Sequence, residues 1–194
     1  MLNLLLKHRR YLAWGYVLLL LALMHPTVPD IVFCSPLVLL GAFIRAWASG
    51  CIEKNVNIAW SGPYRHVRNP LYIGSFLIGL GFTLMANHWL LLLLFLSLYL
   101  IVYRHGVLSE EKLLTAKFGH DFKRYCEHVP RFIPRCNPTR ELNIGYRSYL
   151  MWQHREYNAW LAIIAVYLIM LAAFEYPFPA QGIWKVIHET GRIY

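Results

Sequence analysis

The chain has 194 residues, 58% of them from the apolar set AVILMFWYC and 15% from Asp, Glu, Lys and Arg, where an ordinary soluble domain carries about 25% charge. Mean hydropathy is +0.40, which excludes a largely disordered chain and points to lipid as the main solvent. Its length fits one domain, and a formal net charge of +9 leaves nucleic acid open as a partner only until the basic residues are placed along the apolar runs.

The N-terminus carries Lys7, Arg9 and Arg10 ahead of an apolar stretch from Tyr11 to Met24. No small-residue cleavage site follows before His25, Pro26 and Asp30, so a retained first membrane helix is expected rather than a signal peptide. A second uncharged run covers 31–44 and extends to Ala48 if the Arg45 guanidinium snorkels to the interface. From Leu71 to Tyr103 there is no Asp, Glu, Lys or Arg. One helix of that length would be close to 50 Å long, against an apolar bilayer core of about 30 Å. Asn87 and His88 stand at its middle, so a tight helical hairpin is predicted to turn there, with Ser75, Gly79 and Gly81 suited to close helix contact. A last uncharged run covers 157–174 and ends at Glu175 and Pro177. The fold class expected is therefore all-α, a polytopic integral membrane protein with about five transmembrane helices and a cytoplasmic cofactor-binding segment.

With the N-terminus inside, the cytoplasmic parts are 1–10, 45–70 and 104–156, and they hold 17 of the 19 Lys and Arg residues but 7 of the 10 Asp and Glu. The bias lies in Lys and Arg, as the positive-inside rule requires. Topology and anionic lipid then account for the basic charge, and no nucleic-acid stripe is left to explain. The four cysteines, Cys34, Cys51, Cys126 and Cys136, form no CxxC pair, so free thiols and no metal site are expected.

The 104–156 segment has pattern of its own. Ser109-Glu110-Glu111-Lys112 reads as a helix start with Ser109 as cap and carboxylates in the first turn. Gly119 is predicted to end that helix, with a further short helix over His120 to His128. Pro130, Pro134 and Pro138 then forbid a long helix. The segment is expected to fold over the membrane end of the hairpin.

Tyr64-Arg65-His66-Val67-Arg68-Asn69-Pro70-Leu71-Tyr72-Ile73-Gly74 joins a polar stretch directly to a membrane helix. Pro70 suits the first helical turn, which places Arg68 and Asn69 at an end where free N–H groups favour an anion. Taken alone, this is also an ordinary interfacial anchor.

The run Gly62, Tyr64, Arg68, Asn69, Pro70, Tyr72 and Gly74 is followed by the hairpin. Glu110, Glu111, Leu114, Phe118-Gly119, Phe122, Tyr125, Val129-Pro130-Arg131 and Ile133-Pro134 come next. In order and spacing this resembles the isoprenylcysteine carboxyl methyltransferase and phospholipid methyltransferase superfamily of integral-membrane enzymes, over residues 52–136. The resemblance implies one membrane methyltransferase domain over 1–194, with 52–136 as its core and 157–174 as a C-terminal transmembrane helix. It implies S-adenosylmethionine as methyl donor, held by Val56, Asn57, Ile58, Ala59, Tyr64, Asn69, Pro70, Leu71, Tyr72 and Glu110. It also implies an apolar, lipid-linked or prenylated acceptor. Two positions depart from the family pattern. Asn69 stands where the family has His, and Gly106 where it tends to place a substrate-contacting Arg; Arg104 lies close enough to substitute as catalytic and substrate-binding residue beside Glu110.

A carboxylate acceptor needs an Arg to position it and no general base, whereas an amine must lose a proton, which would involve His66, His105 or a carboxylate. Carboxylate O-methylation is slightly favoured, with phospholipid amine N-methylation as the alternative. Two further readings stand beside the enzyme: a sterol-reductase-like membrane reductase, marked by nicotinamide rather than methyl-donor binding, and a non-enzymatic membrane scaffold built on a degenerate site.

Overall fold

The computed structural model describes residues 9–53, 57–136 and 145–175. They form α1 (Arg9–Leu23), α2 (Val28–Ser49), a 3-10 turn at Gly62–Arg65, α3 (Pro70–Met85), α4 (Trp89–His128), α5 (Ser148–Gln153) and α6 (Tyr157–Glu175), with no strand among the described residues. The fold is all-α and membrane-associated. Both α2 and α4 are long and apolar enough to cross a bilayer, while α1, α3 and α6 carry shorter apolar stretches. Outward-facing Leu18, Phe33, Leu93, Leu100, Leu161 and Leu168 are exposed, an apolar coat that suits lipid rather than water.

The turn between α1 and α2 explains why the second run is longer than its uncharged core. Thr27 caps α2: its Oγ1 accepts from the Asp30 N–H at 3.3 Å while the Asp30 carboxylate accepts from the Thr27 N–H at 3.1 Å. This is a reciprocal capping box. Pro29 occupies the first turn, where its missing N–H costs nothing. Thus α2 begins at Val28 and reaches Ser49, taking in Arg45.

The hairpin turns where expected. Between α3 and α4 lie Ala86, Asn87 and His88, and Asn87 adopts φ 52°, a left-handed conformation that Asn tolerates. The His25 N–H donates to the Ala86 carbonyl at 3.0 Å, so the α1–α2 turn and the hairpin turn lie at one end of the bundle. The candidate site lies at the other.

Helices α2 and α3 form the principal packed pair. A Cβ built on Gly41 would lie 2.6 Å from the Gly74 carbonyl oxygen, and one on Gly74 would lie 2.6 Å from the Gly41 oxygen. The two backbones therefore touch, the close approach that small residues permit in lipid. The core around them holds Leu20, Met24, Val38, Phe82, Met85, Leu91 and Met170.

One expectation is corrected. Ser109 caps no helix: α4 runs without interruption from Trp89 past Glu110 and Glu111, and its one non-helical residue is Gly119, at φ 52° and ψ −115°. That backbone conformation belongs to glycine, so the predicted break at Gly119 and the helix through His128 stand. The hairpin arm simply continues out of the apolar zone and carries the two carboxylates on the same rod.

Gly41→Ala is expected to lower stability by about 1–3 kcal/mol, since its methyl group meets backbone. Gly15→Ala, with nothing within 4 Å of its Cβ, should be neutral or stabilising. Thermal unfolding of both variants in the same detergent checks the contrast.

Candidate functional site

At the end of the bundle opposite the hairpin turn, three segments converge. The first is 57–69, which leads into α3. Its 3-10 turn buries Tyr64 against Ala48 and Cys51, and Tyr125 Oη donates to the Tyr64 carbonyl at 2.9 Å. The second is the outer part of α4, where Phe122, Tyr125 and Val129 form a small core with Ile58, Trp60 and Leu114 around it. The third is the proline-containing strap 130–136.

The strap is pinned beside the Arg-Asn-Pro segment. The Arg68 N–H donates to the Pro130 carbonyl at 2.9 Å and the Arg135 N–H to the His66 carbonyl at 2.9 Å. His66 Nδ1 lies 2.8 Å from the Arg135 carbonyl oxygen, and Asn69 Nδ2 donates to the Arg131 carbonyl at 3.4 Å. His66 thus serves the strap and does not line the cavity.

Glu111 joins all three segments. Its carboxylate accepts from Arg68 Nη1 at 2.9 Å, and from Arg131 Nε and Nη2 at 3.0 and 2.7 Å. Arg68 Nη1 also lies 3.1 Å from Cys126 Sγ. Bidentate, charge-assisted contacts of this kind fix orientation as well as distance. The helix-start role expected for Glu111 is replaced by that of a two-arginine anchor.

These segments enclose a cavity of about 290 Å³ lined by Asn57, Ile58, Ala59, Tyr64, Asn69 and Glu110, and also by Ile52, Glu53, Arg68, Glu111, Leu113, Leu114, Phe122 and Tyr125. The first six were expected from the sequence. Val56 lies outside the described residues. Pro70, Leu71 and Tyr72 form the first turn of α3 immediately after Asn69 and do not line the cavity. Arg104 is exposed on α4, seven residues before Glu111, which is two helical turns and about 10 Å. It too lies off the cavity wall.

Burial pushes the Tyr64 phenol well above its ordinary value, helped by the neighbouring Tyr125 phenol and the Glu110 carboxylate. Burial likewise raises Tyr125. It also raises the Cys126 thiol, against the opposing pull of Arg68. Both phenols therefore remain protonated donors at neutral pH. Tyr64 Oη and Arg68 Nε are buried on the cavity wall without a hydrogen-bond partner among the described residues, a costly arrangement unless a polar ligand meets them.

Residues 37–121 match the model of the phospholipid methyltransferase family. That stretch, a little under half of the chain, is where its likeness to the phospholipid methyltransferase family lies. It is 32% identical over 82 residues to the protein-S-isoprenylcysteine O-methyltransferase of Schizosaccharomyces pombe, covering 42% of this chain and 35% of that one. It is 29% identical over 98 residues to the nickel-cobalt-cadmium resistance protein NccN of Alcaligenes xylosoxydans xylosoxydans, covering 50% and 46%. Identity is again 29% over 98 residues to the cobalt-zinc-cadmium resistance protein CzcN of Cupriavidus metallidurans, covering 50% and 45%. The chain spans about a third to a half of the length of these curated relatives. No solved structure matches it significantly.

The likeness to that family points to S-adenosylmethionine, and the cavity's chemistry fits that molecule. Arg68 suits its carboxylate, Glu110 its ammonium or ribose hydroxyls, and Ile58, Leu114 and Phe122 its flat adenine. The two unpartnered polar atoms would be satisfied by a ligand of that polarity. Among the described residues no group of three His, Cys, Asp or Glu side chains gathers as a metal site would require.

Arg68, Glu111 and the aromatic lining from Phe122 and Tyr125 were absent from the expected site residues. They stand in the motif, but sequence spacing does not reveal that one carboxylate takes both arginines. Glu111→Gln is expected to lower stability by about 1–3 kcal/mol, less than for a fully buried pair because Arg131 is half-exposed. Hydrogen exchange should accelerate selectively over 129–135.

Proposed function

We propose that this protein is an integral-membrane S-adenosylmethionine-dependent methyltransferase acting on an apolar or lipid-linked acceptor. The observation that carries the reading is the cavity in which family-motif residues from 57–69 and 110–125 meet, with Tyr64 Oη and Arg68 Nε buried and unpartnered on its wall. Five helices cross the membrane in this reading. The N-terminus, 45–70 and 104–156 face the cytoplasm, the side that then holds 17 of 19 basic residues. Lys185 and Arg192, the two on the other side, lie outside the described residues.

Asn57, Ile58, Ala59, Tyr64, Asn69 and Glu110 hold the methyl donor, with Val56 and the α3 turn Pro70-Leu71-Tyr72 beside them. When bound, S-adenosylmethionine supplies an electrophilic methyl group on a sulfonium. The protein's own contribution is to hold donor and acceptor in line and to exclude water, because transfer to an anion diminishes separated charge.

Carboxylate O-methylation is the favoured reaction. Proton acceptors at the cavity have other tasks in this reading: Glu111 holds two arginines, Glu53 pairs with Arg147 and Glu110 serves the methyl donor, while no histidine lines the wall. A carboxylate acceptor needs no base, and this reading assigns its positioning to Arg104, on α4 beyond the cavity wall. The isoprenylcysteine O-methyltransferase relative lends support. Methylation of a phospholipid amine is the second reading, favoured by the family model.

Calorimetric titration with S-adenosylmethionine tests the cofactor. Glu110→Gln is expected to weaken binding by on the order of 1.5–3 kcal/mol, the value of a charge-assisted hydrogen bond; unchanged affinity would remove Glu110 from the site. The acceptor is tested by methyl transfer in nanodiscs to matched acceptors with long and short tails. Each CH₂ buried contributes about 0.8 kcal/mol, so kcat/KM should fall as the tail shortens. Equal values along the series would refute lateral entry from the membrane. Arg104→Ala should impair a carboxylate acceptor far more than an amine, and an undiminished carboxylate reaction would dismiss Arg104 as its anchor.

A further inference from the structure

The helices enclose a second cavity of about 500 Å³ that shares no lining residue with the first. This is a volume typical of small-molecule sites. Its wall comes from α1, α3, α4 and α6, and along α3 it extends from Ser75 to Phe82, about 10 Å of helix. Hydroxyls on this wall are spoken for. Tyr16 Oη pairs with Thr83 Oγ1 at 2.6 Å, Tyr99 Oη donates to the Tyr72 carbonyl at 2.7 Å, and Ser75 Oγ donates to the Leu71 carbonyl at 2.8 Å. Apolar surface remains, with one cationic end.

That end is Arg45 of α2. Its Nε and Nη2 donate to the Glu156 carboxylate at 2.8–3.2 Å, and its Nη1 donates to Ser75 Oγ at 2.5 Å. Nη1 carries two N–H groups, so one has no acceptor among the described residues.

We propose that this cavity binds one long-chain amphiphile, its chain lying along the helices and an uncharged head oxygen accepting the remaining Arg45 Nη1–H. Glu156, whose side chain is 8% exposed, already neutralises Arg45. An alcohol or ester carbonyl therefore meets a donor without a like charge, whereas a carboxylate head would lie beside the Glu156 carboxylate. A bilayer lipid and a methyl acceptor whose tail carries an uncharged oxygen offer the same chemistry. The site stands independently of the methyl-transfer reading.

Native mass spectrometry of the full chain, released from detergent with 1-oleoylglycerol, oleate or octadecene, tests it. One 1-oleoylglycerol per chain is expected, with oleate at least fivefold weaker at pH 8. Ala159→Phe, or Ala13→Phe should the first fail to fold, fills the cavity and should weaken 1-oleoylglycerol at least tenfold. Replacing the ion pair as a whole, Arg45→Met with Glu156→Met, avoids an orphaned charge and should abolish the preference for 1-oleoylglycerol over octadecene. No retained 1-oleoylglycerol, oleate binding as tightly, or unchanged affinity in the folded filling variants would each overturn the proposal, whether or not methyl transfer is observed. The source is read separately: added 1-oleoylglycerol raises the KM of a tailed acceptor where that tail is the natural occupant, and leaves it unchanged where a bilayer lipid is.

Discussion

Glu111 accepts hydrogen bonds from Arg68, 43 residues before it, and from Arg131, 20 residues after it. Through that one carboxylate the segment entering α3, the outer part of α4 and the strap share a fixed position. Arg68 is largely buried and its Nε has no partner among the described residues, so its guanidinium is held by Glu111 and Cys126 with one N–H left on the cavity wall. Without the carboxylate, two guanidinium groups would face each other with nothing between them.

The anchor works because α4 is a single rod as far as Gly119. A helix that had started anew at Ser109 would have placed a joint between the membrane and the carboxylates. Instead the apolar part, packed on α3 through Phe76, Phe95 and Tyr99, sets the axial position of Glu110 and Glu111 directly. At the polar boundary a Cβ on Gly106 would lie 2.7 Å from Tyr72 Oη, so the first turn of α3 lies against α4 with only a glycine between. Helix packing in the apolar zone is thereby transmitted to the cavity with little slack.

The hairpin and its turn at Asn87 and His88 were legible because a charge-free run well beyond the length of one span has few ways to fold in lipid. Gly119 was legible because that conformation suits glycine alone. Six residues that line the cavity, Asn57, Ile58, Ala59, Tyr64, Asn69 and Glu110, were legible through the family resemblance. The continuity of α4 through Ser109 was not: Ser-Glu-Glu-Lys carries every local mark of a helix start, and tertiary packing over the preceding turns overrides it. Nor was the second cavity, whose lining is drawn from four helices and the Arg45 end of a fifth. Arg45 looked like an interfacial snorkel, and its partner Glu156 is 111 residues away. Pairing over that distance leaves no local signature.

The two departures from the family pattern are built into this structure rather than left as gaps. Asn69 is buried, lines the cavity and donates to the Arg131 carbonyl, so an amide performs a tethering task without adding a titratable group. Gly106 is occupied from the other side by the Tyr72 ring, which also packs edge-on against Tyr103 at 5.5 Å, while Tyr99 holds the Tyr72 carbonyl. A site decaying into a passive scaffold would be expected to lose contacts at the substituted positions. Here each substitution is matched by contacts from neighbouring segments, while two residues of the cavity wall, Tyr64 and Arg68, each keep a buried polar atom without a partner among the described residues. Leaving those two groups unsatisfied is costly, and a polar ligand of the kind proposed for the cavity would relieve that cost.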